Sequence, residues 1–306
     1  MRVIVAGLGV QGHKRRRFAS ADYVAAVDPV NPEAEYRSLH DVPLDAYDAV
    51  LACIPDEPKL DLVTYCVENG KHVLVEKPLC TPRDEDIAQL ERLARARRVV
   101  VYTAYNHRFE PHCVRMRDLI ASGDLGAIYS CRMFYGNGTA RLVRDSAWRD
   151  RGAGVIPDLG SHLLDTCLFW FGGDIDDFRV LSAHRFENLA PDHAVLSAET
   201  RVPRIELEMT LCMWRNYFTC DVLAERGTAH IESLCKWGPT TFRHRKRVLP
   251  SGRPLEVAVT LAQDDPTWAL EYEHFKKLCT SRIATDLRAD LQLQQALTRL
   301  AAEVST

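Results

Sequence analysis

The 306-residue chain has no Cys-x-x-Cys pair, no His-Glu-x-x-His, no cysteine–histidine cluster and no acidic calcium loop. The spacings that hold zinc, a redox disulfide or calcium are missing, and no metal is expected. Long apolar runs are missing as well: nothing approaches the roughly 18 uncharged residues that cross a bilayer. The opening run MRVIVAGLGVQG precedes its basic cluster, HKRRR, the reverse of a secretory signal. A cytoplasmic protein is expected, with no membrane partner. Excess charge is lacking too. Lys and Arg total 39 against 42 Asp and Glu, a net charge of -3, which offers nothing to draw in nucleic acid. Internal repeats and low-complexity linkers are absent. The ten cysteines stand partly in apolar surroundings such as VTYCVENG and DTCLFWF, where the thiol acts as a small hydrophobe; they read as reduced structural residues.

What is present suits a globular chain of two ordinary domains, with 46% hydrophobic residues and 26% charged ones. Through residue 104 short apolar runs alternate with helical patterns. Strands are expected at 3–6, 23–27, 49–54, 72–75 and 99–104, and helices at 11–21, 58–69 and 84–98, the first with a basic exposed side. This is the pattern of βαβ units and a parallel sheet, and the uniformly apolar strands suit a sheet covered on both faces. After about residue 108 the character changes. A helix (111–122) and a strand (128–135) lead through an Arg-rich stretch to a helix at 158–171. Strand patterns then fill 178–261, and helices at 266–281 and 286–304 finish the chain. An α+β second domain on a largely antiparallel sheet follows, with the division at 1–108 and 109–306.

Gly7-Leu-Gly9-Val-Gln-Gly12 stands directly after the first strand and opens the first helix. Two glycines let the backbone turn and approach a pyrophosphate, the third lets helix and strand pack, and the helix N-terminus offers N–H groups to the phosphates. Asp28 closes the second strand, 16 residues past Gly12. A carboxylate there accepts hydrogen bonds from ribose hydroxyls and repels a 2′-phosphate, favouring NAD over NADP. Lys14 to Arg17 could neutralise such a phosphate, which leaves NADP open; they could equally form a solvated helix face.

Three further groups carry chemistry. Lys77, in Glu76-Lys77-Pro78, follows the fourth strand, where a sheet's carboxyl ends form a ligand crevice and an ammonium can stabilise a developing alkoxide. Tyr105-Asn-His-Arg-Phe109 stands where the chain leaves the first domain, a place suited to ligand contact or to a plain hinge. In GAGVIPDLGSHLLD (152–165), Pro157 suits a helix start and Asp158 and His162, four apart, share a face. The imidazole can exchange a proton with an alcohol, although the pair could also serve helix dipole and packing alone.

In order and spacing, GLGVQG, GKHVLVEKPL (70–79), YNHRFEP (105–111) and GAGVIPDLGSHLLD resemble the glucose–fructose oxidoreductase / inositol dehydrogenase (Gfo/Idh/MocA) family over nearly the whole chain. The resemblance implies a Rossmann doubly wound parallel sheet followed by the α+β substrate domain, and a homo-oligomer, dimer or tetramer. It implies NAD, or NADP, held by Gly7, Gly9, Val10, Gln11, Gly12, Asp28, Ile54, Pro55, Glu76 and Lys77. It implies Lys77, Asp158 and His162 as the catalytic set, with Tyr105, Asn106, Arg108, Trp148 and Arg149 beside Asp158 and His162 at the substrate. The implied activity is hydride transfer between nicotinamide C4 and a hydroxyl carbon of a sugar, polyol or nucleotide sugar. The alternatives are an NAD-dependent glycosidase and a non-catalytic dinucleotide sensor. One departure stands out: the loop after the third strand reads IPDEPKLD, with Asp56 and Lys59 where the family usually carries Asn and then His. The basic run Arg243 to Arg247 could meet a diphosphate or simply line an exposed strand.

Overall fold

The computed structural model describes residues 1–146 and 149–304. They divide into two compact units, Met1–Asn106 with Thr267–Gln294, and His107–Pro266 with the chain from Gln295 onward. In chain order the first stretch holds β1 (Val3–Ala6), α1 (Val10–Ala19), β2 (Tyr23–Val27), β3 (Ala49–Ala52), α2 (Lys59–Glu68), β4 (His72–Glu76), α3 (Asp84–Arg97) and β5 (Val101–Ala104). The strands form one parallel sheet in the order β2-β1-β3-β4-β5. The chain reverses its direction of travel across the sheet at β1 and β3, and loops leaving such neighbouring strands make the ligand crevice of open α/β sheets. All four residues of β1 and of β3 are buried, because helices cover both faces.

The second stretch continues with α4 (Pro111–Ala121), β6 (Ile128–Gly136), α5 (Ala140–Arg144), α6 (Ser161–Phe171), β7 (Arg179–His184), β8 (His193–Ala198), β9 (Arg204–Thr210), β10 (Tyr217–Ala224), β11 (Gly227–Glu232), β12 (Thr240–Lys246) and β13 (Leu255–Leu261). Its eight strands run β13-β12-β11-β10-β6-β9-β8-β7, antiparallel throughout except for the parallel β6–β9 pair. One face is apolar, with Cys131, Met133, Leu207, Met209, Phe218 and Cys220 buried. The Trp170 indole of α6 donates to the Cys113 carbonyl of α4 at 2.9 Å, joining the two helices. Cross-strand ion pairs such as Arg132–Glu206 and Arg243–Glu232 mark the polar face.

Two expectations are corrected. The second domain was expected to take all of 109–306, but α7 (Thr267–Thr280) belongs to the first unit, and α8 (Arg288–Val304) begins there. The reason is apolar surface: Tyr272, Phe275 and Cys279 of α7 pack into the core that Val3, Val5, Leu51 and Leu74 present on one sheet face. Asp22 ties the end down, accepting from the Tyr272 hydroxyl at 2.9 Å. The helix expected from Asp158 instead begins as a wider turn, Ile156–Gly160 in π geometry, before α6. Pro157 has no N–H to give the ordinary ladder, and the Ser161 N–H reaches back five residues to the Ile156 carbonyl. Gly160 lets this turn lie on β9, since a Cβ there would stand 2.9 Å from Met209 Sδ.

All ten cysteines are free thiols, most of them buried. Burial pushes Cys66 up to about 12, which keeps it a protonated packing group. No helix among the described residues is long and apolar enough to cross a membrane.

If α7 completes the first unit's core, Phe275→Ala should cost about 3–5 kcal/mol, whereas Leu270→Ala on its exposed side should stay within about 0.5 kcal/mol. Urea unfolding of the two variants checks this; equal losses would remove α7 from the core.

Candidate functional site

The first unit builds a phosphate-sized turn from its glycines. Gly7 has φ +88°, a conformation L side chains rarely adopt, and a Cβ there would strike the Cys53 carbonyl at the end of β3. A Cβ on Gly12 would strike the Gly7 carbonyl, so α1 can approach β1 only because residue 12 is glycine. Gly9, the N-cap of α1, faces open space with nothing within 4 Å, and no side chain caps the helix. The first N–H groups of α1 are thus presented to whatever occupies that space, as a pyrophosphate requires. These residues fit a dinucleotide.

Asp28 is the carboxylate that shapes this turn. Its Oδ2 accepts from Leu8 N–H at 2.8 Å and its Oδ1 from Val30 and Asn31 N–H at 2.9 and 2.8 Å. Burial works against the charge, but those three donors and the Arg37 guanidinium outweigh it and hold the carboxyl below the usual range. With two donors Oδ1 is filled, while Oδ2 keeps one acceptor position for a ribose hydroxyl. Arg37 lies alongside, donating to the Asp28 and Asn31 carbonyls at 3.2 and 2.7 Å. No local pattern in the sequence marks it.

The Glu76-Lys77-Pro78 segment is clamped on both sides of Lys77. On one side Arg15 of α1, 1% exposed, binds Glu76 through Nε and a terminal nitrogen, both at 2.7 Å, and Glu271 of α7 at 2.7 Å. The ring of Trp268 covers its guanidinium at 4.3 Å. Burial alone would discourage the Arg15 charge; Glu271 and Glu76 reverse this and raise its pKa. The basic side expected to be exposed on α1 is therefore corrected at Arg15: it points inward because the buried Glu271 and the partly buried Glu76 need a counter-ion. On the other side Lys59, 2% exposed, pairs with Asp56 at 2.6 Å and donates to the Pro78 carbonyl at 2.8 Å. The two residues that depart from the family pattern thus brace the turn that carries Lys77. Ile54 leaves β3 half-buried next to Gly7, and Pro55 after it is exposed.

In the second unit His162, in the first turn of α6, is 8% exposed. Its ring stacks on His107 at 4.4 Å and 21°, with Tyr135 tilted against both at 5.9 and 5.3 Å. Phe218 stands edge-on to His107 and Tyr135. Asp158, on the π turn, meets Arg149 at 3.4 Å, a pair about one-third exposed on each side and therefore weak. Arg108 forms a bidentate pair with Asp165, which is completely buried, through Nε at 3.0 Å and a terminal nitrogen at 2.5 Å. Burial pushes the Asp165 carboxyl up, against the charge and hydrogen bonds of Arg108. Arg108 thus anchors the turn at 106–109 to α6 beneath His162.

Asn106 is buried in the first unit, its amide donating to Thr267 at 3.1 Å, and Tyr105 is buried beside it. Trp148 lies outside the described residues. The basic run of β12 is largely matched to carboxylates, Arg243 with Glu232 at 3.0 Å and Arg245 with Glu256 at 2.6 Å. Among the described residues no group of three His, Cys, Asp or Glu side chains could hold a metal ion. Pattern reading missed Arg37, and it missed Glu271, Tyr135, Lys236, Phe218 and the interior role of Arg15, whose partners are remote in sequence.

Residues 2–105 match the family model described as oxidoreductase family, NAD-binding Rossmann fold, and residues 113–230 match the GFO/IDH/MocA C-terminal domain. The chain belongs to the GFO/IDH/MocA family. Among its curated GFO/IDH/MocA-type relatives, scyllo-inositol 2-dehydrogenase (NADP(+)) of Bacillus subtilis is 30% identical over 46% of this chain and 40% of its own length. Inositol 2-dehydrogenase 3 of Saccharopolyspora erythraea is 23% identical over 70% of this chain and 60% of its own. The chain thus spans about half the length of the curated relatives it matches. Among solved structures, UDP-N-acetylglucosamine 3-dehydrogenase of Acidithiobacillus ferrooxidans superposes with TM-score 0.82 at 19% identity, over 99% of this chain and 97% of that one. A levoglucosan dehydrogenase in complex with NADH gives 0.81 at 17%, with the same coverage. These two structures share the GFO/IDH/MocA fold with this chain.

Two stability predictions follow from the clamps. Arg15→Met strands Glu76 and Glu271, and should cost about 3–5 kcal/mol in urea unfolding, with part recovered by adding Glu271→Gln. Asp28→Asn should lower the melting temperature with a defined pH dependence. The folded carboxyl sits below its unfolded value near 3.9, so its contribution is complete above about pH 5 and vanishes on acidification through the folded value. Melting curves should show a constant gap between Asp28→Asn and the natural chain from about pH 5 to pH 8, closing below about pH 4. A gap that widens in acid contradicts this.

Proposed function

We propose that the chain is an NAD(P)-dependent oxidoreductase that moves a hydride between the dinucleotide and a hydroxyl-bearing carbon of a sugar, polyol or nucleotide sugar. The observation that carries the reading is the glycine turn after β1, whose middle glycine opens onto empty space over the uncapped start of α1. Membership of an oxidoreductase family and relatives named as inositol dehydrogenases support the substrate class. A homo-oligomer, dimer or tetramer, belongs to the same proposal.

When bound, the nicotinamide dinucleotide supplies the hydride acceptor or donor. Gly7, Gly9, Val10, Gln11 and Gly12 would hold the pyrophosphate through backbone N–H groups, with Ile54, Pro55 and Glu76 bordering the same turn. The open position on Asp28 Oδ2 would hold a ribose hydroxyl. That carboxylate favours NAD, and Arg37 beside it offers a 2′-phosphate a cation, so NADP stays within the proposal. Lys77 polarises the substrate oxygen with its ammonium, the role for which Arg15 and Lys59 brace its turn. Asp158 orients the reacting hydroxyl. His162 takes the hydroxyl proton as the carbon loses its hydride, and returns it in the reverse direction. Tyr105, Asn106, Arg108, Trp148 and Arg149 complete the proposed substrate contacts. The arrangement at Arg108 supports an indirect role for it, through Asp165 and α6.

A panel of sugars, polyols and nucleotide sugars, followed at 340 nm with NAD and NADP, tests the reading. Lys77→Ala and His162→Ala should each lower kcat by about 10²–10⁴-fold. Near-normal turnover in either variant removes that residue from the catalytic set. Cleavage of a glycoside without net NADH would point instead to a glycosidase.

A further inference from the structure

His162 does not sit alone in its unit. Its neighbour His107 is 2% exposed, and the two imidazoles lie face to face at 4.4 Å. Two positive rings at that separation, largely shut off from water, exclude one another, so the pair can carry one extra proton at most. Which ring takes it is decided by what touches the rings. Lys236, in the short turn Cys235–Trp237, places Nζ 3.4 Å from His107 Nε2 and donates to the Tyr135 hydroxyl at 3.0 Å. The ammonium also lies over the rings of Tyr135 and Trp237, at 5.2 and 4.4 Å. No carboxylate among the described residues pairs with Lys236, so its charge is turned toward the aromatic cluster.

An ammonium has three donors and no acceptor. Where it meets Nε2, the imidazole must present a lone pair there, and its proton then lies on Nδ1. The other charged groups around the pair leave that assignment standing. Arg108, next in the chain, is engaged with Asp165 of α6. Asp158 of the π turn meets Arg149. Glu110, before α4, accepts the Cys235 N–H at 3.2 Å, and burial pushes its carboxyl up while Cys235 and Lys236 oppose this. From β6 comes the Tyr135 hydroxyl, itself held by Lys236, and from β10 the Phe218 ring.

We propose that Lys236 is a positioning residue that locks His107 as the neutral Nδ1–H tautomer, so that of the stacked pair only His162 is left to carry a proton. The functional part rests on the reading of His162 as the proton acceptor; the tautomer does not. In the reaction, the proton leaving the substrate hydroxyl would then stop at His162 and not pass into the protein through its stacked neighbour.

Long-range proton–nitrogen NMR spectra of the histidine-labelled full chain, free of substrate and cofactor, read the tautomer directly. In the natural protein His107 should show an unprotonated Nε2 and a protonated Nδ1, and acidification from pH 8 to pH 6 should move the signals of His162 and not those of His107. Lys236→Met should release His107 into a mixture of tautomers and let its signals move with pH, and Lys236→Arg should restore the natural pattern. A protonated Nε2 on His107 in the natural protein overturns the proposal even if Lys236→Met fails to fold. So does a Lys236→Met spectrum identical to the natural one. If His162→Ala keeps its turnover while His107 shows the expected tautomer, the catalytic reading falls and the Lys236 lock remains.

Discussion

In the first unit, one buried guanidinium joins three stretches of chain that are far apart in sequence. Arg15 reaches from the helix that opens the glycine turn to Glu76, which precedes the proposed catalytic lysine, and to Glu271 on the helix that returns to the unit. Its positive charge is what allows two carboxylates to lie in the interior, and their charges are what allow it to be there. Without the returning helix Glu271 would be missing and Arg15 under-compensated, so the cofactor turn, the lysine turn and α7 stand or fall together. The Lys59–Asp56 pair works in the same direction from the other side, holding the Pro78 carbonyl.

In the second unit the constraint is apolar rather than ionic. His162 reaches its position because Pro157 and Gly160 force a wider turn onto β9, after which α6 runs as an ordinary helix. The imidazole is then fixed by the rings of His107 and Tyr135, which Phe218 backs in turn, and by the pair of Arg108 with the buried Asp165 below. A side chain that must accept and return a proton gains from such a setting: its rotamer is set by packing, and its charge state by a small number of identifiable neighbours.

Much of the backbone was legible in the residues themselves. Val3–Ala6 and Ala49–Ala52 are apolar without interruption, which only a sheet covered on both faces requires, and the glycines at 7, 9 and 12 stand where backbone atoms approach too closely for a side chain. The loss of regular helix at Ile156–Gly160 was not legible, because the spacing of Asp158 and His162 suits an α-helix as well as a π turn. Nor was the return of Thr267–Gln294 to the first unit, since an amphipathic helix does not say which apolar face it will cover.

By itself the sequence determined the sheet types, the dinucleotide turn and the residue types of the proposed chemistry, because those depend on near neighbours: a period of two or 3.6, a glycine where no Cβ fits, a histidine four residues from an aspartate. Only the tertiary structure decided that Arg15 is an interior counter-ion rather than a surface charge, that Asp28 spends three of its four acceptor positions on its own backbone, and that Lys236 faces His107. For Arg15 and Lys236 this is settled by desolvation and by the groups that folding brings alongside from residues 61 to 256 positions away, which no local pattern of residues encodes; for Asp28 the donor from Leu8, 20 positions earlier, joins those of its neighbours Val30 and Asn31.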